Sequence, residues 1–190
     1  MLAEILEILG LFSSLPKEKN GKNNLQIISK DRKLISNEKI ITNIIKTFEL
    51  ISQDNRNWTK TYFEKNLNET WLSYYVNTSQ NGGGQNILVK LPIPSTKELI
   101  EIAIDTNEDD ELFAACYTLI QNEETEKTAF RLELITALEK ISDRNRQQKI
   151  IKLTSLLNSI NRKDVLEKLI NEIELDSKYY KEIAERASKL

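Results

Sequence analysis

No histidine occurs anywhere in this sequence, and cysteine occurs once, at Cys116. The first absence removes Ser-His-Asp and Cys-His catalysis, imidazole general bases and nearly all zinc and transition-metal sites. The second removes any internal disulfide and any thiolate zinc site, so a bound metal would have to be a hard cation held by oxygens. Cys116 follows Phe113, Ala114 and Ala115, an apolar setting in which a buried, inert thiol in a reducing compartment is expected. Glycine and proline are scarce, at five and three residues, which argues against collagen-like repeats and long disorder. No run approaches the roughly 18 to 20 uncharged apolar residues that span a bilayer. The apolar stretch Met1 to Leu15 is interrupted by Glu4 and Glu7 and has no basic flank, so a secretory leader is not expected and a cytoplasmic location is.

What is present is the composition of one folded unit. With 190 residues, 39% of them hydrophobic and 29% charged, the chain can bury a real core. A net charge of −2 and a pI near 5.5 give no general attraction to nucleic acid or to anionic membranes, and neither is expected as a partner.

Apolar spacing then points to helices. Ile5, Ile8, Leu9 and Phe12 form a helical stripe ending near Pro16, and Lys17 to Asn24 reads as a polar loop. Leu25 to Ile35 fits a short strand or a helical turn. Ile40, Ile41, Ile44, Ile45, Phe48 and Ile51 predict a second helix. Between Trp58 and Ser79, the positions Tyr62, Phe63, Leu67, Trp71, Leu72, Tyr75 and Val76 favour a helix, with a strand over Trp71 to Val76 as the alternative. Asn81 to Gly84 break the chain, and Ile87 to Leu91 should run extended into Pro92 and Pro94.

Beyond that boundary the pattern is regular. Ser95 and Glu98 have the spacing of a capping box opening a helix through Ile104, and a turn is predicted at Asp105 to Asn107. Further helices are predicted around Leu112 to Ile120, Phe130 to Ile141, Ile150 to Ile160, Val165 to Ile173 and Tyr179 to Ala187. Six helices in three pairs of about 30 to 35 residues predict a short α-solenoid, with an irregular bundle as its competitor. The expected fold is therefore mainly all-α, with a short β element near residues 85–91. It divides into an aromatic N-terminal region, 1–91, and a helical-repeat region, 95–190, within one cooperative unit.

The chemical motifs are incomplete. Asp105, Asn107 and Asp109 copy the alternate spacing of a calcium loop, but Asp110 stands where glycine is needed and Cys116 where a bidentate glutamate belongs. Gly82 to Gly84 lack the Lys-Ser or Lys-Thr of a phosphate loop and read as a flexible turn. Arg144, Arg146, Lys149 and Lys152 lack interleaved aromatics and read as a solvated face. No cofactor, metal or enzymatic activity is expected.

One feature stands out: from Glu98 to Glu126 the chain carries ten acids and no lysine or arginine. Helix capping and dipole pairing would explain Glu98, Asp109 to Glu111 and Glu124 to Glu126. The functional alternative is an acidic docking face formed by Asp105, Glu108, Asp109, Asp110, Glu111, Glu123 and Glu124. The runs Lys97-Glu-Leu-Ile-Glu-Ile-Ala-Ile, Asp110-Glu-Leu-Phe-Ala-Ala-Cys and Phe130-Arg-Leu-Glu-Leu-Ile resemble HEAT-type helical pairs and are similar to small helical immunity proteins of bacterial toxin systems. That resemblance implies a cytoplasmic inhibitor that binds a basic toxin domain and performs no reaction. The alternative is a helical-repeat scaffold or adaptor for another protein or peptide.

Overall fold

A computed structural model describes residues 32–76, 84–126, 128–160 and 168–190. The predicted first helix and the loop after it lie outside these residues.

The all-helical expectation is overturned by a five-stranded antiparallel sheet. In chain order the elements are β1 (Leu34–Ile35), α1 (Glu38–Ile45), β2 (Glu49–Asp54), β3 (Thr59–Glu64), β4 (Glu69–Val76), β5 (Gln85–Lys90) and α2 (Thr96–Asp105). They continue with α3 (Asp109–Glu126), α4 (Arg131–Leu138), α5 (Arg144–Thr154) and α6 (Ile170–Ala187). The strand order is β1-β5-β4-β3-β2, with β1 and β2 at the edges.

Within the predicted aromatic helix of 58–79, residues 59–76 form a hairpin, and 77–79 lie outside the described residues. Tyr62 pairs with Trp71 and Lys60 with Ser73, and the connecting turn places Asn68 at φ 56°, a left-handed geometry that asparagine tolerates. The apolar residues of β4 sit on both faces because both faces are covered. Trp71 joins Ile35, Tyr62 and Leu88 beneath Ile41 and Ile44 of α1. Leu72, Tyr74 and Val76 face the other way, toward the helices after residue 95. A strand buried on both sides loses the alternation that reveals strands, and its residual spacing imitates a helix. The second helix likewise stops at Ile45, because Glu49–Asp54 pairs with β3 through a bulge between Leu50 and Ser52. The short β element expected near 85–91 is a full strand whose Ile87, Leu88 and Val89 are completely buried.

Five helices past Pro94 occur among the described residues, the start of the predicted Val165 to Ile173 helix lying outside them, and these helices do not stack as a solenoid. Ser95 and Glu98 form the predicted capping box at the start of α2. The 18-residue α3 is buried along Leu112, Ala114, Ala115, Cys116 and Leu119, and it packs against α2, α5, β1 and β4. Its small side chains let four neighbours approach one helix closely. The Tyr74 hydroxyl meets Thr118 Oγ1 at 2.7 Å, linking β4 to the centre of α3. The oily helix faces that suggested side-by-side stacking are thus buried partly against the sheet, and one core runs from Leu34 and Val89 through Leu134 to Ile183. Near the C-terminus, Ile170–Ala187 is one helix where the sequence pattern predicted a break between Ile173 and Tyr179.

Candidate functional site

The acids predicted to form one docking face are divided by the fold into three groups with different work. Asp110 and Glu111 are structural. One Glu111 oxygen accepts the backbone N–H groups of Lys33 at 2.8 Å and Leu34 at 3.2 Å, and the other accepts from Thr106 Oγ1 at 2.6 Å. Asp110 pairs with the buried Arg32 guanidinium, and its Oδ2 accepts from the N–H groups of Ser36 and Asn37, each at 3.2 Å. These two carboxylates satisfy backbone donors of the β1 segment and bind that edge of the sheet to the first turn of α3.

Glu123 is structural as well. It holds Arg131 through two oxygens, while Arg131 also lies over the Phe130 and Tyr180 rings at 5.3 and 5.0 Å. Glu123 and Glu124 stand about 18 Å along α3 from Glu111, given twelve residues at a rise of ~1.5 Å each. They therefore do not continue the surface at the other end of the helix. Dipole pairing does not explain Glu124 to Glu126 either, because α3 ends there and no basic residue occupies its last turn.

The third group remains on the surface. Asp105 and Glu108 line a groove of about 400 Å³ with Glu101, Ile102, Thr106, Asn107, Glu111 and Arg32. Glu101, Asp105 and Glu108 are exposed, and Lys97 Nζ stands 3.9 Å from Glu101. Asp109, also exposed, takes a bond from Lys149, which lowers its carboxyl pKa. The arrangement is poor for helix stability. Glu101 and Asp105 are like charges one turn apart on α2, and Asp105 sits at that helix's negative end with no basic residue in its last turn. Each of these effects costs a few tenths of a kcal/mol, up to ~1.

Two basic residues of α5, Arg146 and Lys149, meet this region. Arg146 Nε donates to the Ile104 carbonyl at 3.1 Å and its Nη2 to the Thr106 carbonyl, so Arg146 caps α2 instead of facing solvent as the sequence suggested. No group of three or more His, Cys, Asp or Glu among the described residues is arranged to hold a metal ion. Cys116 is fully buried, and burial pushes its thiol up to about 12. A thiol in that state is a poor nucleophile at neutral pH.

A second concave surface has no counterpart in the sequence reading. On the α1 side of the sheet, Trp58, Lys60, Tyr62, Ser73, Tyr75, Gln85 and Asn86 face Glu38, Ile41, Thr42 and Ile45 across a cleft of about 480 Å³. Trp58 is 73% exposed at φ 55°. Its turn is braced by Asp54, which accepts from Arg56 N at 2.8 Å and from Asn57 Nδ2 at 2.8 Å. The signal for this surface was the cross-strand register, since Tyr62, Ser73 and Tyr75 share a face only when 59–76 is a hairpin. Reading the segment as a helix hid it.

No helix of the described residues is long and apolar enough to cross a membrane. No protein-family model, curated protein or solved structure matches the chain.

Proposed function

We propose that this chain is a non-catalytic protein-binding protein that neutralises a basic toxin domain in the manner of an immunity protein, and that Glu101, Asp105 and Glu108 carry its docking surface. The single observation behind this reading is the placement of Asp105. Asp105 is exposed one turn from Glu101 and repels it, a cost that the Arg146 cap on the Ile104 and Thr106 carbonyls does not require, so local stability does not account for the pair. A cationic partner relieves that repulsion on binding, and the anionic groove raises its association rate. The reading is compatible with the locked state of the other acids, since Asp110, Glu111 and Glu123 are engaged in holding the fold. Of the seven acids predicted from sequence, Asp105 and Glu108 are assigned to contact, with Asp109 at the margin.

Pull-down against a toxin domain encoded beside this chain, followed by titration at low and high ionic strength, tests the proposal. Capture that weakens with salt, and weakens further in Glu101→Lys and Asp105→Lys proteins of unchanged circular dichroism, is the expected result. Capture indifferent to both charge reversals would remove the acidic groove from the interface.

A further inference from the structure

The cleft under α1 offers a chemistry of its own. Trp58 is an exposed indole on a backbone geometry that bulky residues avoid, with its turn secured by Asp54. Strain of this kind persists where the surrounding structure enforces it, and it is concentrated at binding sites. The neighbouring groups include donors beside two acceptors, the Glu38 carboxylate and the amide oxygen of Gln85, whose nitrogen donates to the Ser36 carbonyl. The Tyr62 hydroxyl is kept protonated by burial and by nearby Tyr75. Ser73 Oγ donates to Asn86 Oδ1 at 2.8 Å, which orients the amide with its nitrogen free to donate. Trp58 Nε1, Tyr75 Oη and Lys60 Nζ add further donors. Glu38 and Lys60 cancel in charge, so the cleft does not select for a strongly charged ligand.

We propose that this cleft binds a proline-rich segment in the extended polyproline conformation. Such a segment has flat apolar rings to lie against Trp58 and Tyr75. It presents free carbonyl acceptors to the donors of Trp58, Lys60 and Asn86 beside those rings. Its conformation is preformed, so little ordering opposes binding. The site lies on the α1 face of the sheet, whereas the acidic groove lies among the helices of the opposite face, and the two assignments stand or fall separately.

The test is a titration of the full chain with fluorescein-labelled decaproline, read by anisotropy, beside a glycine-serine decamer, an arginine decamer and a single-stranded oligonucleotide. Saturable binding of decaproline in preference to the other three is expected. It should weaken by about tenfold or more in Trp58→Ala and a few-fold in Tyr75→Phe, which keeps the ring and removes one donor. Lys152→Ala, outside both surfaces, should bind as the parent does. Far-UV circular dichroism reports whether each variant is folded. Absence of saturation, equal affinity in folded Trp58→Ala, or tighter binding of the arginine decamer or the oligonucleotide would overturn the proposal.

Discussion

Arg131 and Glu123 meet edge-on, Nε to Oε1 at 2.8 Å and Nη2 to Oε2 at 2.8 Å, with side chains only 10% and 17% exposed. The same guanidinium reaches toward the carbonyls of Thr154 and Ser155 where α5 ends. One ion pair thus joins the end of α3, the start of α4 and the end of α5. Removing one partner leaves a largely buried charge uncompensated, so Glu123→Ala should lower stability by roughly 3 kcal/mol or more, as measured by urea denaturation. Replacing both residues by apolar ones, Arg131→Met with Glu123→Leu, should recover part of that loss. A near-neutral Glu123→Ala would show that solvent reaches the pair.

Acids of one stretch should separate cleanly by location. Glu111→Ala leaves the N–H groups of Lys33 and Leu34 without their acceptor and should cost about 2 to 4 kcal/mol. Asp105→Ala and Glu108→Ala should stay within about 0.5 kcal/mol of the parent, with Asp105→Ala on the stabilising side because it relieves repulsion at the end of α2. Equal losses at Glu111 and Glu108 would contradict the division of roles.

Stability should form a broad plateau in pH. Lys33 Nζ, together with the N–H and hydroxyl of Ser95, holds the Glu98 carboxyl at about 2 instead of 4.5. Asp109, bonded by Lys149, and Glu139, bonded by Arg186, are lowered as well. A carboxyl whose folded value lies below its unfolded value stabilises above the unfolded value and loses that contribution as pH falls through the folded one. The acid limb should therefore run from about 4.5 down to about 2. Burial raises Tyr180 from 10.0, and Cys116 from 9.0, each to about 12. The folded state keeps those protons longer, so their contribution is complete below the unfolded values and is lost as pH climbs to about 12. Lacking histidine, the chain has no side-chain type that ordinarily titrates between these limbs. Urea midpoints measured across the range should be level near neutrality, and a step at about pH 6 to 7 would break the prediction.

Trp58→Gly should raise stability by about 0.5 to 1 kcal/mol, because glycine accepts φ 55° without the clash that tryptophan bears. Chemical denaturation followed by circular dichroism measures it. A loss of stability instead would mean that the indole contributes packing that outweighs the strain.

Much of this molecule was legible before the structure. The capping box at Ser95 and Glu98, a helix over Ile40 to Ile45 though not its predicted extension to Ile51, the extended run before Pro92 and the buried state of Cys116 all follow from nearest neighbours along the chain. The hairpin of 59–76 was not, although its threonines and aromatics have strand propensity. With α1 on one side of β4 and the later helices on the other, its sequence carries no polar face to betray its period.

The candidate acids show the same limit more sharply. That residues 98 to 126 are anionic is a property of the chain. That Asp110 and Glu111 bind the backbone of β1 and of the residues flanking it, more than seventy residues earlier, depends on where α3 begins in space. Composition and periodicity determined which segments could be helical, which donors and acceptors existed, and which catalytic chemistries were absent. The pairing of distant strands and carboxylates was decided only in the tertiary structure, because hydrogen bonds and burial between residues far apart in sequence leave no mark on the local pattern of either partner.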